Sequence, residues 1–458
     1  MATIVFIMYP EEGHLFTSFG LAKKLKSRQH RVIYLGIPDS KESVCSQGFE
    51  FIPVLQAFFP QSRANKKTYQ PRITGITDII RTLKKQGDRL KNLYAYLFSK
   101  EIDRLLGSIE IDLLIVDSAL PFMALVGYRN GIPSILLSVT LQERDLQIPP
   151  LTKSLMPGDN IVDKLRIKFS WGWIFLRSFV LRKSLLLFGI DVDFARVMKK
   201  LAQAANYPIN KIKAITTLMP ETGLPELILC PNEFDFPRRI PENIHYIESS
   251  IINDGIDSSF PWERIDDTKP LVFCTLGSQS YMYRQNLQFF RTVIETFGSR
   301  SEWNLIVSLG KGLSIDQFKN GYSNVTVVNW APYARILSKA SLMITHGGLG
   351  TIKHCIYYGV PMIVFPFMRD QPGNAARVTY HGLGLAGDIK KISEEYLNTL
   401  ITKIERDPTF KKRSQIMAGK FREAEQAEKG IRYIEMFSGT FEKRPYYITD
   451  KRAMKEIG

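Results

Sequence analysis

Short, predominantly apolar runs recur along this chain: Thr3–Met8, Arg31–Gly36, Phe49–Val54, Ile111–Val116 and Ile132–Leu137, then Leu271–Leu276, Asn304–Leu309, Val325–Val328, Leu342–Thr345 and Pro361–Pro366. Helix-length segments separate them, among them Leu15–Ser27, Thr77–Leu106 and Ala119–Asn130 and stretches beginning at Tyr281, Gly350 and Gly373. Strands that are apolar on both faces and alternate with helices build parallel sheets covered on both sides. The series is interrupted by Arg238–Asp267, which is rich in Pro, Asp and Ser and reads as a linker. With 458 residues, above the roughly 250–300 at which single cores stop growing, two α/β domains follow. Their expected bounds are 1–240 and 269–458, joined by 241–268, with a helical finish over Ser393–Phe437.

Composition narrows the function classes. The 61 Lys and Arg outnumber the 45 Asp and Glu, a net charge of +16. Such a balance suits anionic partners or serves solubility alone. Cys45, Cys230, Cys274 and Cys355 lie far apart with no metal-ligand spacing, which argues against a disulfide framework or a structural metal and for a reducing compartment. The apolar N-terminus lacks a basic leader and reads as a first strand. No window approaches the roughly 18 apolar residues of a membrane span. One stretch stands out: Val162–Gly189 interleaves Trp171, Trp173, Phe175 and Phe179 with Lys164, Arg166, Lys168, Arg177, Arg182 and Lys183. It fits a greasy pocket, a core or a membrane interface.

Three features carry chemistry. Gly13-His14 follows the first strand, where open α/β sheets bind ligands, and histidine is the side chain suited to proton transfer near neutral pH. Asp117 closes the strand from Ile111 at the same sheet edge, where a carboxylate can orient an imidazole or cap the next helix. Thr345-His346-Gly347-Gly348-Leu349-Gly350-Thr351 lies between a strand and a helix, so backbone N–H groups and the helix dipole favour a phosphate. Gly277-Ser278 adds a second donor loop. A dinucleotide-binding glycine pattern and a Walker lysine are both missing. Asp191-Val192-Asp193 spells a metal–diphosphate motif but is expected within a helix.

The block Asn329-Trp330-Ala331-Pro332-Tyr333, Ser341–Gly348, Gly359-Val360-Pro361-Met362 and Asp370-Gln371-Pro372-Gly373-Asn374-Ala375-Ala376-Arg377 resembles the donor-binding region of the family 1 (UGT/macrolide-type) glycosyltransferases, and the resemblance runs nearly the whole chain. It implies the GT-B fold, two facing Rossmann-like domains with acceptor in the first and nucleotide-sugar in the second. It implies a base at His14 oriented by Asp117. It implies a nucleobase stacked on Trp330 beside Ala331, a diphosphate held by Gly277, Ser278, His346, Gly348, Gly350 and Thr351, a ribose near His354, and sugar hydroxyls at Asp370 and Gln371. The implied reaction is a metal-independent, inverting transfer of a hexose from a UDP-sugar, with dTDP-sugars admitted, to a hydrophobic hydroxylated small molecule. No resident cofactor, no metal and no nucleic-acid partner are expected. The expected setting is the cytoplasm, with peripheral contact at the inner face of the membrane left open by Val162–Gly189 and by the basic stretch Arg63–Lys91.

Departures from the resemblance bear on the donor. Position 350 is Gly where many relatives carry Asn, position 354 is His where many carry Glu, and Tyr333 replaces a frequent Gln. A neutral imidazole cannot clamp a diol as a carboxylate does. The same departures motivate the alternative of a catalytically silent relative that activates a partner enzyme, against which the presence of His14 and Asp117 counts.

Overall fold

The computed structural model of the protein describes residues 1–54, 84, 87–88, 91–142, 145–187, 190, 193–213, 220–251, 260–283, 285–319 and 321–439. The basic stretch Arg63–Lys91 lies almost wholly outside them, as does the first part of the helix expected over Thr77–Leu106; residues 91–97 and Lys100–Gly107 are helical.

Strands β1 (Thr3–Ile7), β2 (Arg31–Gly36), β3 (Glu50–Pro53), β4 (Leu113–Asp117), β5 (Ser134–Ser138), β6 (Glu226–Ile228) and β7 (Ile244–Tyr246) form one sheet in the order β3-β2-β1-β4-β5-β6-β7. Strands β8 (Leu271–Thr275), β9 (Asn304–Ser308), β10 (Val325–Val328), β11 (Ala340–Thr345), β12 (Met362–Val364) and β13 (Gly384–Ala386) form a second, ordered β10-β9-β8-β11-β12-β13. Neighbouring strands are parallel throughout both sheets. Alternate residues feed opposite faces, as strand geometry requires. Val5, Ile7, Leu114 and Val116 enter one core and Ile4, Phe6, Leu113 and Ile115 the other. Each such buried side chain contributes about 1.5–3 kcal/mol, so a register slip would be costly.

The stretch expected as a linker begins too early. β7 lies within it and completes the first sheet, and at three residues it is too short to carry a period. The helical finish is three helices, Glu394–Arg406, Thr409–Ala427 and Lys429–Gly439, broken at Asp407-Pro408 and at the left-handed Glu428. The last returns to the first domain, where Ile431, Tyr433 and Ile434 pack beneath β1 and helix Glu12–Ser27. The C-terminal segment therefore straps the two domains together, with Lys24 paired to Glu425 at 2.7 Å.

Buried polar contacts fix the back of the interface. Arg377 donates to Asp235 at 2.7 Å with both side chains fully enclosed, and Arg238 and Tyr246 close around the same carboxylate. Lys353 donates from its buried Nζ to the carbonyls of Leu229 (2.6 Å) and Ser249 (3.1 Å), and burial brings its pKa down to about 8. The four cysteines are free thiols and three are buried. Asp193 caps helix Phe194–Ala204 through the Arg196 amide rather than lying inside a helix; its neighbours 191 and 192 are outside the described residues.

Candidate active site

Sheet register brings the site together. Ile7 of β1 pairs with Val116 of β4, so the chain leaving β1 runs beside Asp117. Helix Glu12–Ser27 begins earlier than its apolar period suggests, at an acidic pair suited to a helix N-terminus, which puts His14 in its first turn. His14 Nδ1 lies 2.8 Å from Asp117 Oδ2. Asp117 is fully buried and also accepts from the backbone N–H of Tyr9 (3.1 Å) and Ala119 (2.9 Å), so its carboxylate is immobilised. With Nδ1–H donated to that carboxylate, Nε2 is the basic nitrogen. Burial opposes charging of His14, but the hydrogen bond and negative charge of Asp117, joined by Glu11 and Asp370, outweigh it and raise the pKa above the usual histidine value.

In the second sheet, Thr345 pairs with Thr275 on one side and Val364 on the other, which sets the loops 276–279, 346–350 and 365–370 edge to edge. His346 sits between two glycines. A Cβ on Gly277 would stand 2.8 Å from the imidazole and one on Gly348 2.7 Å from it. The glycines therefore make room for the ring, and at Gly277 (φ 77°) the backbone asks for glycine as well. Burial lowers the His346 pKa to about 4, so the ring is a neutral donor and acceptor. Gly348 caps helix Leu349–Tyr357, whose N-terminus opens on the same space. In that helix His354 Nδ1 donates to the carbonyl of Gly350 at 2.8 Å, which assigns its acceptor role to Nε2. Tyr333 is held with the hydroxyls of Thr275 and Thr351, and burial pushes its phenol up to about 12.

Asp370 stands at the N-cap position of helix Gln371–Tyr380 without a side-chain capping bond; burial pushes its carboxyl up while a 2.8 Å hydrogen bond from Asn374 pulls the other way. Gln371 also holds the loop before it. Its Oε1 accepts from the backbone of Phe367 (2.8 Å) and Met368 (3.0 Å), and its Nε2 donates to Tyr283 at 2.9 Å. Its amide chiefly shapes the loop that presents Asp370, with one Nε2 hydrogen left for a ligand. Trp330 is half exposed and meets Phe16 of the other domain edge to face at 6.4 Å.

These groups face one cleft of about 1310 Å³ between the domains. That exceeds the roughly 300–1,000 Å³ typical of single-ligand pockets. His14, Gly277, Ser278, Trp330, Ala331, His346, Gly348, Gly350, Thr351, His354, Asp370 and Gln371 all line it, and Asp117 stands behind His14. Three of the six histidines of the chain thus meet here. Sequence reasoning missed the contacts across the cleft mouth: Glu11 with Arg369 (Nη2–Oε1 2.8 Å) and Glu12 with Lys311. Arg369 holds a left-handed backbone (φ 57°), a rare state for a long side chain. The hydrogen bond from its guanidinium, helped by its charge and opposed by burial, holds the Glu11 carboxyl below the usual range.

Two facing Rossmann-like sheets with a glycine-rich loop opposite a His–Asp pair give the chain the GT-B fold, and it is similar to glycosyltransferases of that fold. Residues 271–429 match the model of the glycosyltransferase family 28 C-terminal domain. The chain is 24% identical over 400 residues to zeaxanthin glucosyltransferase of Pantoea ananas, covering 84% of each. Among solved structures it resembles the glycotransferase of kitacinnamycin (TM-score 0.65, 21% identity, 95% of this chain and 98% of that one). It also resembles the glycosyltransferase VinC in complex with dTDP (TM-score 0.62, 16% identity, 94% and 99%).

Proposed function

We propose that the protein transfers a hexose from a nucleoside diphosphate sugar to a hydroxyl of a hydrophobic small molecule, with inversion and without a metal. The observation that carries this is the His14–Asp117 pair, facing across one cleft the paired loops around His346 and Ser278. In this reading His14 Nε2 takes the acceptor proton as the oxygen attacks the anomeric carbon. The bond from that carbon to the diphosphate breaks, and the diphosphate carries away the electron pair. Asp117 stabilises the imidazolium so formed. The charge on the diphosphate is met by the N-terminus of helix Leu349–Tyr357, by His346 and by Ser278, which is electrostatic stabilisation by fixed donors. Asp370 accepts from sugar hydroxyls. A single in-line displacement inverts the anomeric centre.

Trp330 offers an indole face to the base. UDP is the favoured nucleotide, and His354, with one acceptor nitrogen in place of a carboxylate, makes ribose recognition less strict and so admits dTDP; the VinC complex supports the latter for a similar fold. The acceptor side of the cleft is lined by Phe16, Val139, Leu151, Trp171, Trp173 and Leu181, which suits an apolar alcohol. The zeaxanthin enzyme's name supports a lipid-like acceptor. A screen of hydrophobic alcohols and phenols against UDP-glucose and dTDP-sugars, read by mass, tests the proposal. Products gaining one hexose are expected; release of free nucleotide without any acceptor product, or no reaction at all, counts against it.

A further inference from the structure

Val162–Gly189 folds through Leu187 as one 27-residue helix, Ile161–Leu187, about 40 Å long. Only Ile167, Trp171 and Leu185 are buried, all on its inner side, where Trp171 donates to the Ile148 carbonyl at 2.8 Å. At 100° per residue a second apolar stripe lies on the opposite side: Val162, Leu165, Phe169, Leu176, Val180 and Leu187 recur at three, four or seven residues. Every one is exposed, Phe169 by 78% and Leu187 by 86%. Single exposed apolar residues are ordinary, but six on one helix face mark a contact surface.

Charge identifies what covers it. Arg166 and Arg177 run along one flank of the stripe, Lys164, Lys168 and Arg182 along the other, and Lys183 interrupts it between Val180 and Leu187, its Nζ over the Phe179 ring. The helix has a single acid, Asp163, which is engaged by Asn160 at 2.7 Å. A second copy laid against this face would set like charges together. No helix among the described residues is long and apolar enough to cross a membrane. An apolar stripe between two cationic rows instead matches an anionic bilayer surface, with acyl chains below and headgroup phosphates on either side. We infer that the helix Ile161–Leu187 is the docking surface of this protein on anionic lipid bilayers.

The docked orientation places the substrate cleft at the lipid. Trp173, Ile174, Arg177 and Leu181 of the same helix line that cleft, so a lipid-soluble acceptor would pass from bilayer to cleft along one wall. This last step rests on the acceptor class proposed above; docking itself does not.

Sedimentation with phosphatidylcholine vesicles, with and without phosphatidylglycerol, at low and high salt, tests the inference and needs no turnover. Wild-type protein is expected to pellet with the phosphatidylglycerol vesicles, more weakly at high salt. The Arg166→Gln/Lys168→Gln variant should lose about fivefold per cation at low salt, and less at high salt as screening removes the difference. The Leu165→Gln/Phe169→Gln/Leu176→Gln variant should lose about tenfold or more at both. None of these residues lines the cleft, and circular dichroism and thermal melting unchanged from wild type report intact folding. Wild-type protein that stays in the supernatant at low salt overturns the inference, as does undiminished binding by the triple variant. Self-association abolished by the triple variant, without vesicle binding, would assign the stripe to a second copy and also overturn it.

Discussion

The two walls of the cleft are made of different material. On the C-terminal wall, backbone loops at the ends of β8, β11 and β12 lie edge to edge, and glycines there admit one imidazole and leave helix N–H groups facing the ligand space. On the N-terminal wall, one hydrogen-bonded side-chain pair, His14–Asp117, is backed by apolar side chains from separate segments between Phe16 and Leu181. A wall of fixed amides suits a ligand whose charge does not vary from one reaction to another. A wall of side chains suits a partner whose shape does. The donor half should therefore answer to changes of a single atom, and the acceptor half should fail sharply only at its base.

The largest effect that would break this contrast belongs to His14→Ala. It should lower kcat by about 100-fold or more, the scale of a general base, with the donor KM little changed. Next, Asp117→Asn should lose no more than His14→Ala, and the double variant little beyond the worse single one, because the two act as a unit. The pH profile adds a sign. Asp117 raises the His14 pKa, so activity fades as pH falls through that raised value. With the charge removed, the acidic limb should move to lower pH, beneath a lower plateau. A limb that stays in place contradicts the pairing.

The C-terminal wall has its own pair of tests. Gly348→Ala puts a methyl 2.7 Å from the His346 imidazole, whereas Gly350→Ala meets only the Thr17 hydroxyl at 3.5 Å. Displacing the imidazole by about an ångström should cost on the order of 100-fold in kcat/KM, while Gly350→Ala should stay near wild type. Equal effects would remove His346 from the donor site. Trp330→Ala should raise the donor KM about tenfold, as expected for a lost base-stacking partner. Smallest, His354→Glu should favour UDP over dTDP donors by about 1–2 kcal/mol, the scale of a charged hydrogen bond.

The same contrast explains what could be read in advance. Loops at the carboxyl ends of buried strands are contiguous in sequence, so Gly277-Ser278 and His346–Thr351 were legible, and so was Asp117 at the end of β4. β6, β7 and β13 are three residues each, too short to carry a period. The position of Gln371 is legible but its contacts with Phe367, Met368 and Tyr283 are not, because they depend on how the loop before it and a residue 88 positions away fold back on it. Glu11 and Arg369 stand 358 residues apart in the chain, and nothing local to either predicts their meeting. The helix Ile161–Leu187 hid its two stripes because opposite apolar faces cancel in any one-sided measure of amphipathicity.

In the proposed reaction His14, held by Asp117, drives a single metal-independent displacement at the anomeric carbon. The most direct measurement is the anomeric configuration of the product from an α-linked UDP-sugar, determined by NMR in the presence of a chelator, for wild type and His14→Ala. A β-glycoside from the wild type, formed undiminished with chelator and all but lost in His14→Ala, is the predicted result. An α-glycoside, a reaction abolished by the chelator, or normal turnover without His14 would contradict it.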